Sequence, residues 1–156
     1  MSVKRRSFLK GTVATSALGV AVGSGLLQPR AAWAAWSEKA FSAKKVDEAI
    51  AGLYGSATTK DSSEIKLTVP DIAENGAVVP ISVTTSLKNV ESIAILVEKN
   101  PAPLTGGFNF SGNLEGYVST RIKMGETSDV YAVVKAGGQV YSTKKMVKVT
   151  IGGCGG

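Results

Sequence analysis

From residue 64 onward, apolar and polar residues alternate with a period of two. Ile65, Leu67 and Val69 sit between polar neighbours, as do Val79, Ile81 and Val83, then Ile93, Ile95 and Val97. That period puts every second side chain on one face of an extended chain and predicts three strands. Further strand-like runs cover residues 108–110, 116–123, 130–136 and 139–151, for about seven strands in all. Asn75-Gly76 and Gly137-Gly138 supply residues tolerant of positive φ, which tight hairpins demand, and residues 124–127 break the pattern between two strands. Ahead of the strands, residues 42–54 place Val46, Ala49, Ile50 and Leu53 at helical spacing, with Gly55 where a C-terminal cap would sit. One short helix is expected there, after a Ser-rich approach. Residues 99–107, with Pro101 and Pro103, read as an ordered surface loop, because proline restricts φ and donates nothing to a ladder.

Strands at this spacing, without helical segments for parallel crossovers, argue for an all-β chain: an antiparallel two-layer sandwich of immunoglobulin-like type. A small closed barrel is the alternative arrangement. The expected organisation is a cleaved leader over residues 1–34, a sandwich domain over 35–151 and a flexible C-terminal arm over 152–156. The 156 residues and 44% apolar content fit one globular domain.

Charge changes this picture little once it is placed along the chain. The formal charge is +6, but Lys4, Arg5, Arg6, Lys10 and Arg30 lie in the first 34 residues, which contain no acid. The remainder is nearly neutral, with both signs interspersed and no basic stripe interleaved with aromatics, so nucleic acid is not an expected partner. The leader has an address-like pattern. Arg5-Arg6 followed by Ser7-Phe8-Leu9-Lys10 matches a twin-arginine export signal. A run of small and modestly apolar residues follows, and Ala32-Trp33-Ala34 supplies the small-x-small site for cleavage before Ala35. The run is interrupted by Gly19, Gly23 and Gly25 and falls short of the roughly 20 apolar residues a bilayer requires. The expected location is therefore the periplasm, with no membrane attachment after cleavage.

The chemistry is narrowed by what the chain lacks. There is no His and a single Cys, which excludes a zinc, copper or iron-sulfur site built from His and Cys ligands of this chain alone, and excludes a histidine base for nucleophilic catalysis. No cofactor is expected. The remaining reactive group with an unusual setting is Cys154, flanked by Gly152 and Gly153 on one side and Gly155 and Gly156 on the other. Cysteine used as packing is a small buried hydrophobe, whereas glycines on both sides give this thiol a slim stalk with no bulk to bury it. From Ile151 the cysteine can reach about 10 Å at about 3.4 Å per residue, enough to enter a narrow cleft on another protein. The thiolate is the nucleophile, and its reference pKa near 8.5 leaves a minority ionised at neutral pH unless a neighbour assists. Lys144, Lys145 and Lys148 precede the arm. Lys144-Lys145 and Lys44-Lys45 read as solvated faces, and Glu115, Glu126 and Asp129 as solvent-facing turn residues.

These residues also resemble a known family. The Gly-Gly-Cys-Gly-Gly terminus at 152–156, Ile72-Ala73-Glu74-Asn75-Gly76 followed by Val79-Pro80, Asn100-Pro101-Ala102-Pro103-Leu104, and Thr120-Arg121-Ile122-Lys123-Met124-Gly125 are similar to SoxY, the carrier subunits of bacterial thiosulfate oxidation. The resemblance implies that Cys154 is the covalent attachment point for sulfur and that the chain itself catalyses nothing. It also implies partners. A SoxZ-like subunit would complete a SoxYZ-type heterodimer, and a SoxAX-like c-type cytochrome would couple thiosulfate to the thiol. A SoxB-like dimanganese hydrolase would release sulfate, and a SoxCD-like molybdenum dehydrogenase would oxidise the remaining sulfane sulfur. Two other readings compete. One is a ubiquitin-like carrier activated at the Gly156 carboxylate, which needs ATP that an exported compartment lacks. The other is a structural or adhesive sandwich whose Cys154 forms only an intermolecular disulfide.

Overall fold

The computed structural model describes residues 37–112 and 114–152. The twin-arginine segment with Arg5 and Arg6, the cleavage position before Ala35, and Gly153, Cys154, Gly155 and Gly156 lie outside the described residues. Two short helices open the described chain, α1 (Glu38–Ser42) and α2 (Val46–Tyr54). Nine strands follow: β1 (Lys60–Asp61), β2 (Ile65–Thr68), β3 (Ile72–Ala73), β4 (Val79–Thr85), β5 (Val90–Val97), β6 (Leu104–Asn109), β7 (Gly116–Ile122), β8 (Ser128–Ala136) and β9 (Gln139–Val149). They form two sheets, the larger in the order β1-β9-β8-β5-β6 with β3 also on β9, the smaller in the order β2-β4-β7. No described helix is long and apolar enough to cross a membrane.

The all-β sandwich holds, and its core explains why. Val79, Ile81 and Val83 of β4 face Ile93, Ile95 and Val97 of β5 and Val130, Ala132 and Val134 of β8, all buried between the sheets. Alternation along β4 is clean because its other face is largely open to solvent. In β5 it fails: Ala94 and Leu96 are also buried, on the opposite face of the large sheet, against Ala40, Ala49 and Ile50 of the helices. The molecule thus has a third, partial layer, and β5 is covered on both sides.

Several expectations are corrected. The helix expected within 42–54 is α2, but it is not alone: α1 precedes it, and the extended backbone at Lys45 (φ −128°, ψ 151°) separates the two. Glu48, in the first turn of α2, accepts the Lys44 N–H at 3.3 Å, and Asp47 and Glu48 both suit the positive end of the helix dipole. Gly55 caps α2 as expected, with φ 80° and its N–H bonded to the Ala51 carbonyl at 2.8 Å. Strand β6 starts at Leu104, inside the stretch read as a loop, and pairs with β5 through a register shift at Ile95/Leu96. The sheet is not wholly antiparallel: β1 and β3, two residues each, pair with β9 in parallel. Gly137 and Gly138 turn the β8-β9 hairpin with φ 55° and 75°. Asn75-Gly76 makes no such hairpin. Its φ values are not positive, and the Asn75 side chain instead accepts the Ala77 N–H at 2.8 Å in a local turn.

Candidate functional site

At the end of β9 the chain reaches the root of the expected arm, residues 148–152, which is held by backbone and hydroxyl contacts. Lys148 N–H donates to the Asp71 carbonyl at 2.9 Å and Thr150 N–H to the Ala73 carbonyl at 3.1 Å. The Thr150 hydroxyl donates to the Glu74 carbonyl at 3.0 Å, and Val149 N–H donates to the Thr127 hydroxyl at 3.0 Å. Beyond them, Gly76 N–H donates to the Ile151 carbonyl at 2.7 Å, while the Gly76 carbonyl accepts Met124 N–H at 2.7 Å. Gly76 therefore spends both backbone groups bridging the arm's root to the loop after β7. The Ile151 side chain itself projects outward, 68% exposed.

That loop is fixed from beneath by Asn100. The Asn100 side chain is buried, accepts Gly125 N–H at 3.1 Å and donates to the Lys123 carbonyl at 2.8 Å. Met124 is fully buried in the inter-sheet core. Gly152 lies against this platform: a Cβ built there would overlap the Gly125 carbonyl oxygen. Sequence reading placed Gly152 at the start of a flexible arm, but a close backbone approach is a second physical reason for a glycine at that position.

The neighbouring charges have other partners. Lys144 Nζ is 2.8 Å from Asp129 Oδ2 and 5.5 Å from the centroid of the Tyr131 ring. The Asp129 hydrogen bond, with the nearby Tyr131, holds the Lys144 ammonium above its ordinary pKa. Lys145 Nζ lies 2.8 Å from Asp71 Oδ1 and donates to the Val69 carbonyl at 3.2 Å. The Lys144-Lys145 pair is solvated as expected, 57% and 41% exposed, while also ion-paired to the body, whereas Asp129, expected to face solvent, is only 18% exposed. Lys99 and Glu126 form a loose exposed pair at 3.9 Å. Among the described residues there is no group of three His, Cys, Asp or Glu placed to hold a metal. A shallow groove flanked by Leu87, Leu114 and Tyr117 opens beside Gly116, at the end of β7 remote from Gly125.

Sequence reading singled out the Cys154 thiol, which lies outside the described residues, and missed the contacts that Gly76, Asn100 and Gly125 make. Asn100 was taken as part of a surface loop. The usable signal was an amide residue three positions past the end of an apolar strand and ahead of two prolines, which contribute no N–H donors of their own.

Comparison with known proteins is consistent with this architecture. The family model described as "Sulfur oxidation protein SoxY" matches residues 50–154. The structure of the sulfur carrier protein SoxY from Chlorobium limicola f thiosulfatophilum is 42% identical, with a TM-score of 0.63, over 73% of this chain and 99% of that one. An engineered protein (12% identity, TM-score 0.39, 57% of this chain and 21% of that one) is too distant to inform the fold. So is the superantigen toxic shock syndrome toxin-1 (10% identity, TM-score 0.38, 55% of this chain and 98% of that one). Comparison with curated proteins gave no match. With two thirds of its length inside the family match and a structural relative at this identity, the chain belongs to the SoxY family of sulfur oxidation proteins.

Proposed function

We propose that this chain is a periplasmic sulfur carrier that holds thiosulfate-derived intermediates on the Cys154 thiol and presents them to partner enzymes. The observation that carries the reading is that the family match runs through to Cys154, the one thiol of the chain, placed between two glycine pairs. Loading forms a sulfur-sulfur bond between the cysteine thiolate and the outer sulfur of thiosulfate. Two electrons leave in that step, and a SoxAX-like c-type cytochrome takes them. A SoxB-like hydrolase then adds water to the terminal sulfonate and releases sulfate, leaving a persulfide on the cysteine, and a SoxCD-like dehydrogenase oxidises that sulfur. The carrier supplies the nucleophile and the tether, and a SoxZ-like subunit completes the heterodimer. Export follows the twin-arginine route set by Arg5 and Arg6. The absence of histidine from the whole sequence supports a carrier acted upon by others, since the chain holds no imidazole base to activate its own thiol.

The test is intact-mass analysis of the mature protein from cells oxidising thiosulfate, before and after reduction. A heavier, reducible species that maps to the C-terminal peptide is expected, and Cys154→Ser should abolish both that species and thiosulfate consumption. Normal consumption by the Cys154→Ser strain would end this reading. It would favour the adhesive alternative only if disulfide-linked dimers vanished in the same variant.

A further inference from the structure

Four separated segments meet at the arm's root: Gly76 from residues 72–76, Asn100 from 100–104, Met124 and Gly125 from 120–125, and Ile151 and Gly152 from the start of the terminal segment. They are linked through Gly76 N–H to the Ile151 carbonyl, Met124 N–H to the Gly76 carbonyl, and Gly125 N–H to Asn100 Oδ1. Gly152 closes the set, because only a residue without a Cβ can seat its backbone against the Gly125 carbonyl oxygen.

We propose that Gly152 is a positioning residue, a clamp rather than the first link of a free tether, and that the freedom of the Cys154 thiol begins beyond it. The proposal deepens the carrier reading and rests on it for its functional meaning. Its geometric consequence is a shorter stalk. Measured from Gly152, the Cys154 Cα can travel roughly 7 Å at about 3.4 Å per residue, instead of about 10 Å from Ile151. An enzyme that takes the thiol into its active site must therefore close down onto the loops carrying Gly76 and Gly125. The same clamp fixes the direction in which the sulfur leaves the body. If Gly152 served flexibility alone, alanine there and alanine at Gly153 would act alike, each trimming backbone freedom by a similar amount.

The experiment compares Gly152→Ala with Gly153→Ala in the mature, full-length carrier. Amide hydrogen exchange at Gly76 reports the bond to Ile151. Slow exchange is expected in the parent, at least tenfold faster exchange in Gly152→Ala, and parent-like exchange in Gly153→Ala. A nitroxide on Cys154, paired with a second on Ser119→Cys, reports where the thiol goes. The interspin distance distribution should widen or shift in Gly152→Ala and stay narrow in Gly153→Ala. An unprotected Gly76 amide in the parent protein overturns the proposal, even if Gly152→Ala does not fold, and so do equal effects of the two alanines. Cys154→Ser should keep Gly76 protected while losing sulfur loading, so failure of the clamp and failure of the carrier reading are read separately.

Discussion

Asn100 and Gly125, 25 residues apart in sequence, are joined by a hydrogen bond of 3.1 Å from the Gly125 N–H to the buried Asn100 side-chain oxygen. The same side chain donates to the Lys123 carbonyl at 2.8 Å, so one amide organises three consecutive residues of the loop beneath the arm. Asn100→Ala leaves a donor and an acceptor without partners in a site largely closed to water. The expected loss is about 1–3 kcal/mol. Chemical denaturation of the parent and Asn100→Ala proteins measures it, and equal midpoints with equal slopes would show that water replaces the amide at no cost.

The helix layer rests on a glycine. A Cβ on Gly52 of α2 would stand 2.9 Å from the backbone Cα and N of Ala40 in α1. Alanine is the better helix former by about 1 kcal/mol, which taken alone predicts that Gly52→Ala stabilises the protein. Overpacking against a backbone costs about 1–3 kcal/mol, and here that effect is the larger. Gly52→Ala is therefore expected to lower the melting temperature, with the loss confined to the α1-α2 contact. A rise in melting temperature would mean that α1 simply shifts aside.

Leu96 and its neighbour Ile95 are both fully buried, but in different layers: Leu96 beneath the helices, Ile95 between the sheets. Truncating either to alanine should cost about 2–5 kcal/mol. The two losses should separate in amide exchange. Leu96→Ala is expected to deprotect α2 selectively, whereas Ile95→Ala acts on the sandwich as a whole. Identical exchange patterns would contradict a distinct helix layer.

Glu91 carries a pH signature. Its carboxylate lies 2.7 Å from Lys135 Nζ and accepts the Gly138 N–H at 2.8 Å. The Lys135 hydrogen bond first, and the Gly138 N–H second, hold the carboxyl below its ordinary value of 4.5. A carboxyl depressed in the folded state is protonated more readily in the unfolded chain. Its contribution is therefore complete above the ordinary value and disappears as pH falls through the folded-state one. The melting-temperature gap between the parent protein and Glu91→Gln should be widest near neutrality and shrink as the solution is acidified below about pH 4.5. A gap independent of pH would assign the effect to something other than this carboxylate.

How far the fold was legible depended on whether an element had one solvent face. In β4 polar residues separate Val79, Ile81 and Val83, so period two was plain. Strand β5 was found, but Ala94 and Leu96 were not recognised as a second buried face, because the helices that cover them come from residues 38–54. A five-residue helix such as α1 is too short for periodicity to mark. Strands β1 and β3, at two residues each, exist because the chain passes β9 and finds backbone groups to pair with. At the candidate site the thiol stood out through its glycine flanks. Gly76 and Gly125 did not, because they act through backbone groups whose partners are distant in sequence, and Asn100 showed only as an amide residue ahead of two prolines, with nothing to name the loop its side chain holds.

The short parallel additions on β9 have a consequence for how the protein behaves in a crowd. β9 is the longest strand and runs straight into the terminal segment, so its outer border would be an inviting template for a foreign chain. Residues 60–61 block one end of that border, residues 72–73 block the other, and the Lys145 side chain spans toward Val69 between them. These two short additions and the lysine between them guard the border of β9 against being zipped to another chain.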